Sequence, residues 1–145
     1  RLSRSIDKAI DLDTGKLTPE QIGLIFNNMA EDVSYIDEYD EVRYYNKGDN
    51  RIFPRAPQAI GRKVQACHPI KSLHMVNRIL SEFRRGNKDS AEFWYEMKGK
   101  FVHVQYIATR DKDGAYKGCL EVSQDATHIR ELTGTSRLLD WKNED

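Results

Sequence analysis

The amino-acid sequence predicts an α+β fold, a five-stranded antiparallel sheet with helices over one face and a further helix on the N-terminal side. Three observations carry this. Two short runs rich in β-branched and aromatic residues, Val33–Ile36 and Val42–Tyr45, are separated only by the polar stretch Asp37–Glu41. One long helical stripe runs from Ser72 to Arg85. Three strand-like segments then follow in close succession: Ala91–Met97, Phe101–Arg110 and Tyr116–Gln124.

Residues 1–17 are polar, contain the turn Asp13-Thr14-Gly15 and lack an apolar period, so a linker or lead-in is expected there. The chain opens on Arg1 rather than methionine, as expected of a domain cut from something longer. At Thr18-Pro19-Glu20-Gln21 a capping hydroxyl, a proline at the first helical position and a glutamine three residues after the cap coincide, which starts a helix. Its apolar residues Ile22, Ile25, Phe26 and Met29 form one stripe that should pack on a flat surface. The two β-rich runs form a hairpin, and Asn46 to Gln65 is irregular, broken by Gly48, Pro54, Pro57 and Gly61.

In the helix Ser72–Arg85, Leu73, Val76, Leu80 and Phe83 make the buried stripe and Gly86 supplies a left-handed stop. Within the next strand, Ala91, Phe93, Tyr95 and Met97 alternate with Glu92, Trp94 and Glu96, so one face is buried and the other carries charge around an exposed indole. The middle strand is apolar on both sides, with Val102, Val104 and Tyr106 opposite Phe101 and Ile107. The sheet centre should therefore be covered twice, by the long helix and by either the first helix or a partner subunit. After Asp125-Ala126-Thr127, the residues Ile129, Leu132, Leu138, Leu139 and Trp141 suggest an outgoing helical segment over 128–145, interrupted near Gly134.

Composition narrows the function classes. The 23 basic side chains are matched by 23 acidic ones, so no field of one sign draws nucleic acid or an anionic membrane, and neither partner is expected. Cys67 and Cys119 are far apart without metal-type spacing, and there is neither an apolar signal segment nor a run long enough to cross a bilayer; a cytoplasmic location with free thiols is expected. No phosphate loop, zinc-protease motif or nucleophile–base constellation occurs, so enzymatic activity is not expected.

The order of two strands, a broken helical middle, one long helix and three long strands closing on Asp125-Ala126-Thr127 resembles a PAS domain. A sharper resemblance, over about residues 18–141, is to the PAS-type domain of bacterial DUF438 proteins, where it follows a hemerythrin-like helical domain. It rests on Val33–Asp37, Arg43-Tyr44-Tyr45, Arg51-Ile52-Phe53-Pro54-Arg55, Ile60-Gly61-Arg62, Cys67-His68-Pro69, Glu92-Phe93-Trp94, Gly99-Lys100-Phe101 and Gln124-Asp125. Ile70 stands where that group favours a second proline, which predicts a local change at the start of the long helix. The resemblance implies a PAS-like sensory domain over 18–127 that binds a small molecule in its cavity and transmits its state to an attached domain. An alternative is a dimerisation module, with no specific ligand, that pairs through the first helix and the sheet face around Trp94. A homodimer is expected on either reading.

Candidate ligand-contacting residues follow from this arrangement. Cys67 and His68, just before the long helix, are placed to bind haem iron or another metal axially; the plainer reading has His68 capping the helix and Cys67 as a small buried residue. Phe83, Phe93, Tyr95 and Met97 would line the cavity and stack on a flat ligand such as flavin or haem, or simply form aromatic core. His103 and Gln105 place two polar side chains on an apolar face, and His74 lies off the main helical stripe, toward solvent or the cleft edge. Arg43, Arg51, Arg55 and Arg62 surround the broken middle and are read as surface ion pairs or an anion clamp. Asp125 and Thr127 mark the junction through which a signal would leave the sheet.

Overall fold

The structure, a computed structural model, describes residues 8–48, 51–139 and 141. In place of a featureless lead-in, the chain forms a small hairpin of β1 (Ile10–Leu12) and β2 (Gly15–Leu17), with Ile10 opposite Leu17. Strands of three residues are too short to show a period, so composition alone could not announce them. α1 (Pro19–Asn27) begins as predicted: Thr18 Oγ1 accepts from the Gln21 amide at 3.1 Å while Gln21 Oε1 accepts from the Thr18 amide at 2.9 Å. Its apolar stripe is only partly covered. Phe26 meets Tyr44 edge-on, but Ile25 remains about half exposed and no residue of the helix is buried.

β3 (Asp32–Asp37) and β4 (Val42–Tyr45) form the predicted hairpin, turned by Asp37, whose Oδ1 accepts from the amides of Tyr39 and Glu41. Asn46, one residue past β4, is buried with both ends of its amide engaged. Its Nδ2 donates to the carbonyls of Phe26 and Glu31, and its Oδ1 accepts from the Val33 amide and from Arg51. One side chain thus ties the end of α1 and the Arg51 segment to the sheet. The irregular middle contains two single turns, Pro57–Ala59 and Val64–Cys67.

α2 (Ile70–Arg85) starts two residues before the predicted Ser72, with Pro69 at the cap position and Ile70 pointing outward. Pro69 offers no side-chain acceptor and His68 makes no cap bond, so the expectation that His68 caps this helix is corrected. The C-terminal end is closed twice: Gly86 takes φ 79° and its amide donates to the Phe83 carbonyl at 3.1 Å, and Arg110 Nη2 donates to the same carbonyl at 2.7 Å.

β5 (Ser90–Met97), β6 (Lys100–Arg110) and β7 (Tyr116–Asp125) complete a five-stranded antiparallel sheet in the order β4-β3-β7-β6-β5. Because β7 returns to pair with β3, the last strand in sequence is central in space. The core lies on the inner face, where Val76, Leu80 and Phe83 of α2 press on Ile36, Val42, Val102, Val104, Tyr106 and Cys119. The outer face, with Phe101, His103, Gln105, Ile107, Leu120 and Val122, is half-buried, and Trp94 is 59% exposed. Double coverage of the middle strand is therefore complete on one side only.

The C-terminal expectation is also corrected. α3 (Thr127–Glu131) is a single short helix; the described residues beyond it are not helical, and Leu138, Leu139 and Trp141 are exposed. Among the described residues these side chains are not covered, and an apolar period that is left uncovered does little to stabilise a helix. Residues 140 and 142–145 of that predicted segment lie outside the described residues. No helix among the described residues is long and apolar enough to cross a membrane.

Candidate functional site

Strand alternation, one helix and one loop build a cavity of about 510 Å³. Phe93, Tyr95 and Met97 contribute its floor from β5, Val104 and Tyr106 from β6 and Glu121 from β7, all of them inward-facing positions. Pro69, Ser72 and Met75 close it from the first turns of α2, with Cys67 and His68 at that edge, and Phe53 and Arg55 close it from the irregular middle. Phe93 stacks on Tyr106, with ring centres 6.1 Å apart, and on Tyr95 at 6.3 Å.

One end of this apolar space is polar. Glu121, with 7% of its side chain exposed, accepts from Arg55 Nη2 at 3.2 Å through Oε1. Oε2 is buried without a hydrogen-bond partner among the described residues. His68 lies beside it, Nε2 3.8 Å from Oε2, too far for a hydrogen bond. Nδ1 of His68 is 2.9 Å from the Val64 carbonyl, which can only accept, so Nδ1 carries a proton. In the neutral ring Nε2 then accepts from the Tyr106 hydroxyl at 3.2 Å. Burial, and next the Glu121 charge, push the Tyr106 phenol far above its ordinary range, which keeps it a donor.

Of the residues expected at the site, Cys67, His68, Phe93, Tyr95 and Met97 line this cavity. Phe83 does not reach it; it is fully buried in the core that supports Phe93. His74 is exposed on the outer side of α2. His103 and Gln105 face the opposite side of the sheet, where His103 Nε2 pairs with Glu92 Oε2 at 2.6 Å; strand parity separates them from every cavity residue of β6. Cys67 is half-buried at the rim rather than in the core, and its Sγ lies 3.8 Å from the Lys63 carbonyl. Among the arginines, Arg43 pairs with Asp37 at the surface and Arg51 serves the loop, while Arg55 turns inward.

Among the residues missed from the sequence are Glu121, Tyr106, Phe53 and Met75, together with the inward role of Arg55. A signal existed for Glu121, because it shares strand parity with Cys119 and Ser123. For axial ligation of haem or another metal the arrangement fits poorly. Both nitrogens of His68 are occupied, so iron at Nε2 would have to displace the Tyr106 hydroxyl beside an unpaired carboxylate. No cluster of three or more His, Cys, Asp or Glu side chains suited to a metal occurs among the described residues.

At the far end of β7 the predicted junction is knotted to β6. The Thr127 hydroxyl donates to Asp125 Oδ1 at 2.5 Å and accepts from the Phe101 amide at 2.8 Å, and the Ala126 amide donates to the Phe101 carbonyl. Asp125 also accepts from the Thr127 amide, and these bonds lower its carboxyl below the usual range.

Comparison with known proteins agrees with this geometry. The C-terminal domain of a Streptococcus mutans protein superposes with a TM-score of 0.80 at 34% identity, covering 86% of this chain and 97% of that one. A PAS domain from Colwellia psychrerythraea (TM-score 0.55, 18% identity, 75% of this chain and 97% of that one) shares the fold. So does a sensory box sensor histidine kinase from Vibrio cholerae (TM-score 0.54, 12% identity, 73% and 89%). No curated protein matches the chain. A PAS-domain family profile matches residues 22–127, and the chain belongs to the PAS domain family, whose members are generally non-catalytic sensory or interaction modules.

Proposed function

We propose that residues 18–127 form a ligand-sensing PAS module that binds a small molecule in the cavity under α2 and passes its state to an attached domain through the Asp125–Thr127 junction. The carrying observation is that Glu121, the carboxylate in the cavity wall, lies on the same strand and the same side as Asp125. A ligand that shifts Glu121 displaces the strand whose end is pinned to Phe101 by Thr127. The volume lies within the roughly 300–1,000 Å³ usual for small-molecule pockets, and its lining includes the rings of Phe53, Phe93, Tyr95 and Tyr106 and the thioethers of Met75 and Met97. As in the resemblance to DUF438 proteins, the attached domain on this reading is hemerythrin-like, the setting is the cytoplasm, and the module has no catalytic role.

The test is native mass spectrometry of freshly purified protein, followed by amide NMR as the bound molecule is removed and restored. Expected are shifts at Phe93, Tyr106 and Glu121 together with shifts at Phe101 and Thr127. Shifts confined to the cavity would remove the proposed output path, and an empty cavity that takes up nothing would remove the sensor.

A second reading, supported by the exposed indole of Trp94 and the half-exposed Ile25 of α1, is a homodimer formed through α1 and the outer sheet face. The two are compatible, since the cavity and this face lie on opposite sides of the sheet.

A further inference from the structure

We propose that the cavity selects an uncharged, flat ring compound carrying an N–H or O–H donor, and that Glu121 is the residue that selects it. The inference rests on the ligand-sensing reading and adds the chemistry of the ligand. Its first support is the accounting at the polar end. Arg55 is spent on Glu121 Oε1, the Val64 carbonyl takes the His68 Nδ1 proton, and Tyr106 donates to His68 Nε2. What remains is Glu121 Oε2, a buried acceptor with no donor among the described residues. An unpaired carboxylate oxygen in a water-poor wall favours a ligand that brings a donor.

Charge narrows the class further. Arg55 and Glu121 cancel at 3.2 Å, so the polar end is neutral as a unit. An anionic ligand would meet the free carboxylate oxygen with like charge, and a cation would be set against the guanidinium on the same carboxylate. A neutral donor disturbs neither. Shape comes from the other walls, where Phe53, Phe93 and Tyr95 present rings and Met75 and Met97 present thioethers, surfaces that favour a flat π-system over a flexible acyl chain.

Three probes of one skeleton separate these factors: 2-naphthol, which has a neutral donor; 2-methoxynaphthalene, which lacks it; and 2-naphthoate, which is an anion. Titrated into the unsubstituted protein and followed by calorimetry, 2-naphthol should bind at least about tenfold more tightly than either analogue, as expected for loss of one hydrogen bond to a buried charged acceptor. Glu121→Gln should reduce that preference to less than about threefold, while Glu92→Gln on the outer face should leave it unchanged. The comparison among probes uses the unsubstituted chain, so it stands even where the Glu121 variant is less stable. Equal binding of all three, or tightest binding of 2-naphthoate, overturns the selectivity of Glu121 yet leaves a ligand cavity. Failure of every probe to compete for a cavity that still holds a co-purified molecule overturns the assigned class while sparing the sensor. Failure with an empty cavity overturns both.

Discussion

Glu121 holds one oxygen against Arg55 and leaves the other unpaired, both groups lying at least nine-tenths out of water or close to it. Breaking a buried pair from one side strands the remaining charge, which costs about 3 kcal/mol or more. Arg55→Leu is therefore expected to destabilise the domain strongly, and the double change Arg55→Leu/Glu121→Leu to recover most of that loss. Urea unfolding of the four chains measures the coupling; simple additivity would mean that the two groups do not support each other. The thiols give a second expectation. Burial, followed by the Glu121 charge, pushes Cys119 up to about 12, and a thiol that stays protonated is inert. Iodoacetamide at pH 8 should modify Cys67 at the cavity rim in the folded protein and reach Cys119 only after unfolding, as peptide mapping would show. A group whose acid ionisation is raised by folding also withdraws stability as pH climbs from its ordinary 9.0 toward 12, since only the unfolded chain releases the proton there. None of this was evident from residue type. Cys67 and Cys119 look alike in sequence, and what separates them is that one falls on an inward position of the central strand.

Gly118 shows how an element depends on one backbone position. It lies on β7 with φ 132°, and a Cβ there would run into the Ile36 carbonyl of the neighbouring strand. Gly118→Ala combines an unfavourable dihedral with a backbone clash, and a loss of about 2–4 kcal/mol is expected from thermal or urea unfolding. A loss below about 0.5 kcal/mol would mean that β3 and β7 adjust freely. Elements with strong local chemistry were legible: the Thr18–Gln21 capping box and Gly86 at the end of α2. The start of α2 was not, because Pro69 and Ile70 carry no capping side chain to mark it. The β1–β2 hairpin escaped notice for want of length, and the C-terminal apolar residues misled because periodicity reports a face without reporting what covers it.

For the whole molecule, the inner and outer faces of the sheet divide the work. The inner face holds the core and the cavity, and the outer face, which carries the half-buried Ile107, Leu120 and Val122, exposes Trp94. If copies pair there, Trp94→Glu should convert a dimer into a monomer by analytical ultracentrifugation while leaving the circular dichroism and the unfolding midpoint of the monomer unchanged. A dimer that persists at the same affinity would move the interface elsewhere.

The strands, the long helix and their order could be read in advance because each rests on short-range physics: alternation along a pleat, a 3.6-residue stripe, caps and turns acting over a few residues. The shared face of β5 followed from the same alternation, which is why Phe93, Tyr95 and Met97 could be assigned to one side of the sheet. The polar end was a matter of folding in three dimensions. Arg55, His68, Tyr106 and Glu121 come from a loop, a turn and two strands, and Arg55 and Glu121 are 66 positions apart. Periodicity carries no information about which distant charge will be enclosed with which, since that depends on the strand order that puts β7 at the centre of the sheet.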